Sequence, residues 1–228
     1  MNIVAVSGWG HPADALWPLL KPLSSRWRVE LHALDEFVAT VPPLAAPSVL
    51  LGWSAGSLAV TEAVTQNHVQ PVALVLLSAT ARFCADADYS TGVPAANLRA
   101  MMIGIRRRPE QVLRQFFADC AHPCGIEEAN LLRKTGFAID KLGSQKLCDG
   151  LAYLRDADTR SVLAELNVPT LLLHGQQDRI VPVASSEFMK AQLPHAEMRI
   201  LSEVGHALPE QSPAEVGRAI AEFLERLG

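Results

Sequence analysis

The segment Val49-Leu50-Leu51-Gly52-Trp53-Ser54-Ala55-Gly56-Ser57 joins a continuous apolar run to a stretch of small residues that continues at helical spacing. A strand that passes into a helix through so few residues must turn sharply, and the residue at the apex is held in a strained backbone conformation. Side chains two positions either side of the apex would collide with neighbouring elements, and Gly52 and Gly56 remove them. A fully apolar strand followed at once by a helix belongs to a layered α/β architecture, in which helices cover both faces of a parallel sheet.

The rest of the chain repeats that rhythm. Ile3–Ser7, Arg28–Ala33, Ser48–Leu51, Val72–Leu77, Thr170–Leu173 and Met198–Leu201 read as strands, which predicts a mostly parallel sheet of about six. Ala13–Leu23, Ala55–Asn67, Ala184–Gln192 and Pro213–Leu227 carry apolar residues at helical spacing. Residues 82–158 break the alternation. They contain no convincing strand but four helical pieces, at Pro94–Ile105, Pro109–Asp119, Glu127–Phe137 and Leu142–Leu154. The reading is a core formed by 1–81 and 159–228, with an inserted helical lid over 82–158. The insert holds 11 basic and 10 acidic residues, against 9 and 14 elsewhere, so it is slightly basic on an acidic body.

Composition excludes several classes. With 228 residues, 49% hydrophobic and 19% charged, the chain has the apolar content of a folded domain rather than a disordered one. A net charge of −4 argues against a nucleic-acid partner, and no apolar run is long enough to span a bilayer. The opening residues read as a first strand and its loop rather than a leader peptide, and four cysteines make no disulfide framework. A cytoplasmic location and a monomer are the resulting expectations. Cys120-Ala121-His122-Pro123-Cys124 is too sparse in ligands to be read as a metal site.

Ser54 at the apex of the turn is a candidate nucleophile, raised to the N-terminus of a helix where negative charge is favoured. A serine hydroxyl needs a base to take its proton, and the base needs a third group to fix its tautomer. Asp178 follows the Thr170–Leu173 strand and His206 follows the Met198–Leu201 strand, so both lie at the strand ends where that chemistry requires an acid and a base. Of the other histidines, His174 reads as a packed or loop-bonding residue and His195 as a surface turn. His32 and His68 belong to a strand and a helix end, and His11 is placed to line a pocket. Asp156 and Asp158 read as solvated or capping residues at the exit of the insert. An oxyanion site needs two preorganised N–H donors, for which the main chains of Ala55 and Trp9 are the candidates, the latter in the close-approaching loop Gly8-Trp9-Gly10.

Taken together these residues resemble the α/β-hydrolase family over nearly the whole chain. Within it they are similar to the pimeloyl-[acyl-carrier protein] methyl ester esterases of biotin synthesis. That likeness rests on Ser7-Gly8-Trp9-Gly10 with Trp17, on Gly52-Trp53-Ser54-Ala55-Gly56, and on Gly150 to Arg160 leading into Val168-Pro169, completed by the Asp178 and His206 segments. The resemblance implies an α/β-hydrolase fold and hydrolysis of a pimeloyl methyl ester carried on acyl carrier protein, releasing methanol through an acyl-enzyme, with no metal or other cofactor. Ser7 stands where the family usually has histidine, and Ser57 where it often has glycine.

For the substrate, Trp9, Trp53, Phe116 and Phe117 are candidate contacts, with Met101, Met102 and Ile103 as further candidates for an acyl channel. An acidic carrier calls for cations, and Arg106 and Arg107 lead a set that includes Arg99, Arg108 and Arg114. The same machinery also suits free short-chain esters, thioesters or the C–C bonds of diketones. A catalytically silent binding protein of the same fold is the remaining alternative.

Overall fold

The computed structural model describes residues 1–45, 47–66 and 68–227. Six strands form one sheet: β1 Asn2–Val6, β2 Arg28–His32, β3 Ser48–Trp53, β4 Ala73–Leu77, β5 Thr170–Gly175 and β6 Ala196–Leu201. Their order is β2-β1-β3-β4-β5-β6 and every neighbouring pair is parallel, as the apolar runs of the four central strands predict.

Alternation along the central strands sorts their side chains onto two faces. Val4, Val6, Leu50, Leu74, Leu76 and Leu172 pack on one side with α2 (Leu34–Ala39), α3 (Ala55–Thr65) and α8 (Val183–Gln192). Ile3, Ala5, Val49, Leu51, Trp53, Val75, Leu77, Leu171 and Leu173 pack on the other, against α1 (Trp17–Leu20), α9 (Leu208–Gln211) and α10 (Pro213–Glu225). The sheet is the middle of three layers, and its four central strands are buried on both faces.

Three elements differ from the sequence reading. The single helix expected over Ala13–Leu23 is α1 between two 3₁₀ turns, Ala13–Leu16 and Lys21–Ser25. Pro18 and Pro22 each stand at the start of a new turn, where the missing N–H costs nothing, and either would break a continuous α-helix. The short α2 had no sequence counterpart. Helix α3 ends at Thr65, and the expected end at Asn67 lies outside the described residues.

Between β4 and β5 the chain forms α4 (Ala95–Arg107), α5 (Pro109–Cys120), α6 (Glu128–Phe137) and α7 (Gly143–Asp156), each within about two residues of its expected limits. Leu98, Ile105, Leu113, Phe117, Leu131, Leu147 and Leu151 of these helices belong to the same apolar cluster as Leu50, Leu58 and Leu74. The insert therefore joins the apolar layer on the α3 side, with α7 packed against α2. Its two ends are clasped together. Arg82 donates to Asp158 at 2.7 Å, and Arg160 donates to both Asp158 (2.8 Å) and Asp86 (3.1 Å). Hydrogen bonds from Arg160, opposed by partial burial and helped by Arg82, bring the Asp158 carboxyl down to about 2. Asp158 is thus the hub of an ion network, whereas Asp156 pairs with the adjacent Arg155 on the surface.

The strand ladders run to their carboxyl ends and so aim the next loops at one edge. The N–H of Ser7 donates to the His32 carbonyl at 3.1 Å, that of Ser54 to Leu77 at 2.8 Å, and that of Gln176 to Leu201 at 2.8 Å. Loops leaving β1, β3, β5 and β6 converge there, the edge at which parallel sheets of this kind bind ligands.

Candidate active site

Ser54 sits between β3 and α3 with φ 56° and ψ −122°, a left-handed conformation rare for a residue with a side chain. The cause is local sterics. A Cβ on Gly52 would overlap the Gly56 carbonyl and the Ser57 backbone, and one on Gly56 would overlap the carbonyls of Val6 and Ser7. The turn closes this tightly only because both positions are bare, which is the steric reason read from the sequence.

The strained apex directs the Ser54 hydroxyl to 2.9 Å from His206 Nε2. Nδ1 of the same ring lies 2.7 Å from Asp178 Oδ2. A carboxylate only accepts, so Nδ1 carries the hydrogen and Nε2 is left free to take a proton from Ser54. The other carboxylate oxygen, Oδ1, accepts the N–H groups of Ile180 (2.8 Å) and Val181 (2.9 Å). Burial pushes the Asp178 carboxyl up, but the imidazoles of His206 and His174 outweigh it and hold the group well below the usual carboxylate range. The structure therefore brings together three side chains from three loops, in the order serine, imidazole, carboxylate.

The loop after β1 closes over Ser54 from the other side. A Cβ on Gly8 would stand 3.7 Å from the Ser54 hydroxyl oxygen, which measures how near this loop comes. Among the described residues, the N–H groups of Trp9 and Ala55 have no acceptor. Ala55 opens α3, so its amide is one of the helix's orphan donors.

A cavity of about 530 Å³ opens onto Ser54, lined mainly by apolar groups of the insert such as Leu98, Met101, Phe116 and Leu151, with Trp9 and Ile180. Arg108 and Arg179 also line it. A second cavity of about 480 Å³ lies behind Trp9, lined by Gly8, Gly10, His11, Leu34, Gly150 and Tyr153 among others. Trp9 is shared by both. Its ring is fixed by a 2.8 Å bond from Nε1 to the Leu147 carbonyl and by the edge of Phe116.

The remaining expected contacts are placed differently. Trp53 is fully buried on the α10 side of the sheet, where Nε1 donates to the His206 carbonyl at 3.0 Å, and it does not line the Ser54 cavity. Phe117 is buried in the cluster beneath the insert, so only Phe116 of the pair reaches the cavity. Arg106 and Arg107 end α4 exposed and outside the cavity wall, and Arg114 is engaged by Glu128 at 2.8 Å. The cations that do line it, Arg108 and Arg179, immediately precede α5 and follow Asp178. His11 packs on Trp53 at 4.4 Å between ring centroids. Burial, then Lys134 and His206, push its ring well below the usual imidazole value.

One residue of the neighbourhood escaped the sequence reading: Gln211 ties the His206 loop to the end of α5, and no motif marks it. His174, read as a packed or loop-bonding histidine, is fully buried, bonds the loop carbonyl of Val181 and stands beside Asp178.

A family model described as the alpha/beta hydrolase family matches residues 3–219. The chain belongs to that family. The hydrolase is 29% identical to the pimeloyl-[acyl-carrier protein] methyl ester esterase of Xanthomonas campestris pv. campestris (strain B100), over 99% of this chain and 95% of that protein. It is 25% identical to the biotin biosynthesis bifunctional protein BioHC of Cellvibrio japonicus, over 99% of this chain but 48% of that longer protein. Among solved structures, an esterase from Exiguobacterium antarcticum superposes with a TM-score of 0.85 at 17% identity, covering 99% of this hydrolase and 92% of the esterase, a likeness of fold. No helix among the described residues is long and apolar enough to cross a membrane.

Proposed function

We propose that this hydrolase cleaves an acyl methyl ester through a Ser54–His206–Asp178 triad, and that its substrate is a pimeloyl methyl ester held on acyl carrier protein. The observation that carries the reaction is the continuous line from the Ser54 hydroxyl to His206 (2.9 Å) and on to Asp178 (2.7 Å). Both distances lie within hydrogen-bonding reach before any substrate arrives.

In this mechanism His206 Nε2 takes the Ser54 proton as the oxygen attacks the ester carbonyl. The Trp9 and Ala55 amides receive the oxyanion, each worth about 2.7–4 kcal/mol of transition-state stabilisation in comparable sites. His206 then returns the proton to the departing alkoxide, releasing methanol and leaving an acyl group on Ser54. Water, activated by the same imidazole, hydrolyses the acyl-enzyme and frees the acid. Asp178 holds the imidazole in its productive tautomer and stabilises the imidazolium. The apolar Ser54 cavity suits an aliphatic chain, and the insert acts as a cap that forms its walls. Arg108 and Arg179 face the anionic prosthetic arm of the carrier. The carrier reading draws on the names of the relatives; the cavity and its two arginines are compatible with it.

A fluorophosphonate probe tests the chemistry. It should label the native protein and fail to label Ser54→Ala, and an unlabelled native protein would leave only a binding role. The substrate is tested by comparing turnover of a pimeloyl-carrier methyl ester with that of free short-chain methyl esters. Preference for the carrier-bound ester by tenfold or more in kcat/KM is expected; equal rates would remove the carrier from the reading.

A further inference from the structure

Asp178 Oδ2 faces two imidazoles. His206 Nδ1 lies at 2.7 Å, and on the other side His174 Nε2 lies at 3.3 Å. His174 is fully buried at the end of β5, and nothing in the reaction above uses it. Its ring is held at both nitrogens. Nε2 is 3.0 Å from the Val181 carbonyl, which can only accept, so that nitrogen carries a hydrogen directed at Val181, with Asp178 Oδ2 a further polar contact at 3.3 Å. Nδ1 is 2.7 Å from the Ser186 hydroxyl of α8, which in turn lies 3.0 Å from the Ala79 carbonyl just past β4. Val181 closes the circuit, since its own N–H donates to Asp178 Oδ1. The carboxylate is therefore held by three hydrogen-bond donors and by the His174 contact, and His174 is the one that ties it to the rigid ends of β4 and β5.

We propose that His174 is a positioning residue: its Nε2–H, anchored on the Val181 carbonyl and 3.3 Å from Oδ2, holds the Asp178 carboxylate in the plane in which Oδ2 meets His206, and this polar contact, beyond the volume of the ring, is needed for turnover. The inference rests on the triad reading above. A carboxylate released from this grip rotates about its last bond, and the imidazole that depends on it loses its alignment with Ser54. Loss of a hydrogen bond to a buried charged group typically costs a factor of about 10–100.

Three substitutions separate position from packing. His174→Gln keeps a donor near the place of Nε2, His174→Asn keeps one only near Nδ1, and His174→Leu fills the space without a donor. With a p-nitrophenyl ester, the Leu and Asn variants should lose kcat by about 10–100-fold with KM within about twofold, whereas Gln should stay within about threefold of the native rate. Thermal melting of each variant fixes an assay temperature at which all are folded. Asn equal to Gln, Leu with native kcat, or a Gln variant as impaired as Leu would overturn the proposal. A second measurement does not need turnover. The low-field proton resonance of the His206–Asp178 bond should persist in the native protein and in Gln, and shift or broaden in Leu and Asn. If native protein resists the fluorophosphonate while that resonance responds as described, the serine-hydrolase reading falls and with it the need of His174 for turnover, while its positioning of Asp178 against His206 stands. A resonance indifferent to all three substitutions overturns it.

Discussion

The side-chain carbonyl of Gln211 accepts the backbone N–H of Gly205 at 2.7 Å, one residue before His206. The same amide donates to the carbonyls of Ala121 (2.8 Å) and His122 (3.0 Å) at the end of α5, so one side chain sews the histidine loop to the insert. The seam is close: a Cβ on Gly205 would overlap the His122 carbonyl. Gln211→Leu leaves three backbone groups without that partner, which should destabilise the fold by about 1–3 kcal/mol. It should also lower kcat by about tenfold through a mobile His206. Melting curves and steady-state kinetics on the variant check both; unchanged kcat would detach Gln211 from the site.

Trp9 is the one described residue that lines both cavities, and Gly150 is what lets it stand there. A Cβ at Gly150 would lie 2.6 Å from Trp9 Cδ1 and 3.1 Å from Nε1. Gly150→Ala should therefore displace the ring, strain its bond to the Leu147 carbonyl, and lower kcat/KM for short esters by about 3–10-fold. Trp9→Leu keeps the main-chain donor but removes the partition between cavities of about 530 and 480 Å³. Its optimum in a p-nitrophenyl ester series should move to longer chains. An unchanged chain-length profile in Trp9→Leu would show that the ring divides nothing the substrate explores.

These contacts mark where sequence reading stops. The central strands were legible because each is an apolar run bounded by loops, β2 and β6 because they alternate polar with apolar residues, and Ser54, Asp178 and His206 because each follows a strand. Trp53 was misplaced as a substrate contact although its parity with Val49 and Leu51 already put it on the α10 face of the sheet. Phe116 and Phe117 are about 100° apart on one helix, so only one could face the cavity, and nothing local said which. Arg106, Arg107 and Arg108 were likewise inseparable, since all three are exposed and the end of α4 decides which of them borders the cavity. Gln211 acts through carbonyls supplied by a distant segment, of which a linear pattern holds no trace, whereas His174 meets a carboxylate only four residues on.

Charge at the Ser54 cavity should report on the substrate. Arg108 and Arg179 form no ion pair among the described residues, so both guanidinium groups are free for an anionic ligand. The double variant Arg108→Glu/Arg179→Glu should raise KM for a carrier-bound ester by tenfold or more, with hydrolysis of a neutral p-nitrophenyl ester within about twofold of native. The effect should fade as ionic strength rises from 0.05 to about 0.5 M, because exposed charges are screened over about 10 Å or less. Equal losses on both substrates would mean that the substitutions damage the cavity itself.

The clasp at the root of the insert gives the protein a defined acid sensitivity. Asp158 has a carboxyl brought down to about 2 from an ordinary value near 3.8. A group whose folded value is depressed stabilises the native state at pH above its unfolded value, and that contribution is lost as pH falls through the folded value. The window is thus from about pH 4 down to about pH 2. Because the Asp158 side chain is about a quarter exposed, solvent screening limits the contribution to about 1 kcal/mol. Asp158→Asn should lower the melting temperature at pH 7 by a few degrees and leave a shallower decline between pH 4 and 2 than the native protein shows. Urea unfolding at pH 7, 4 and 2.5 measures the difference, and parallel native and variant curves across that range would place the acid sensitivity elsewhere, with Asp178 the next carboxylate to substitute.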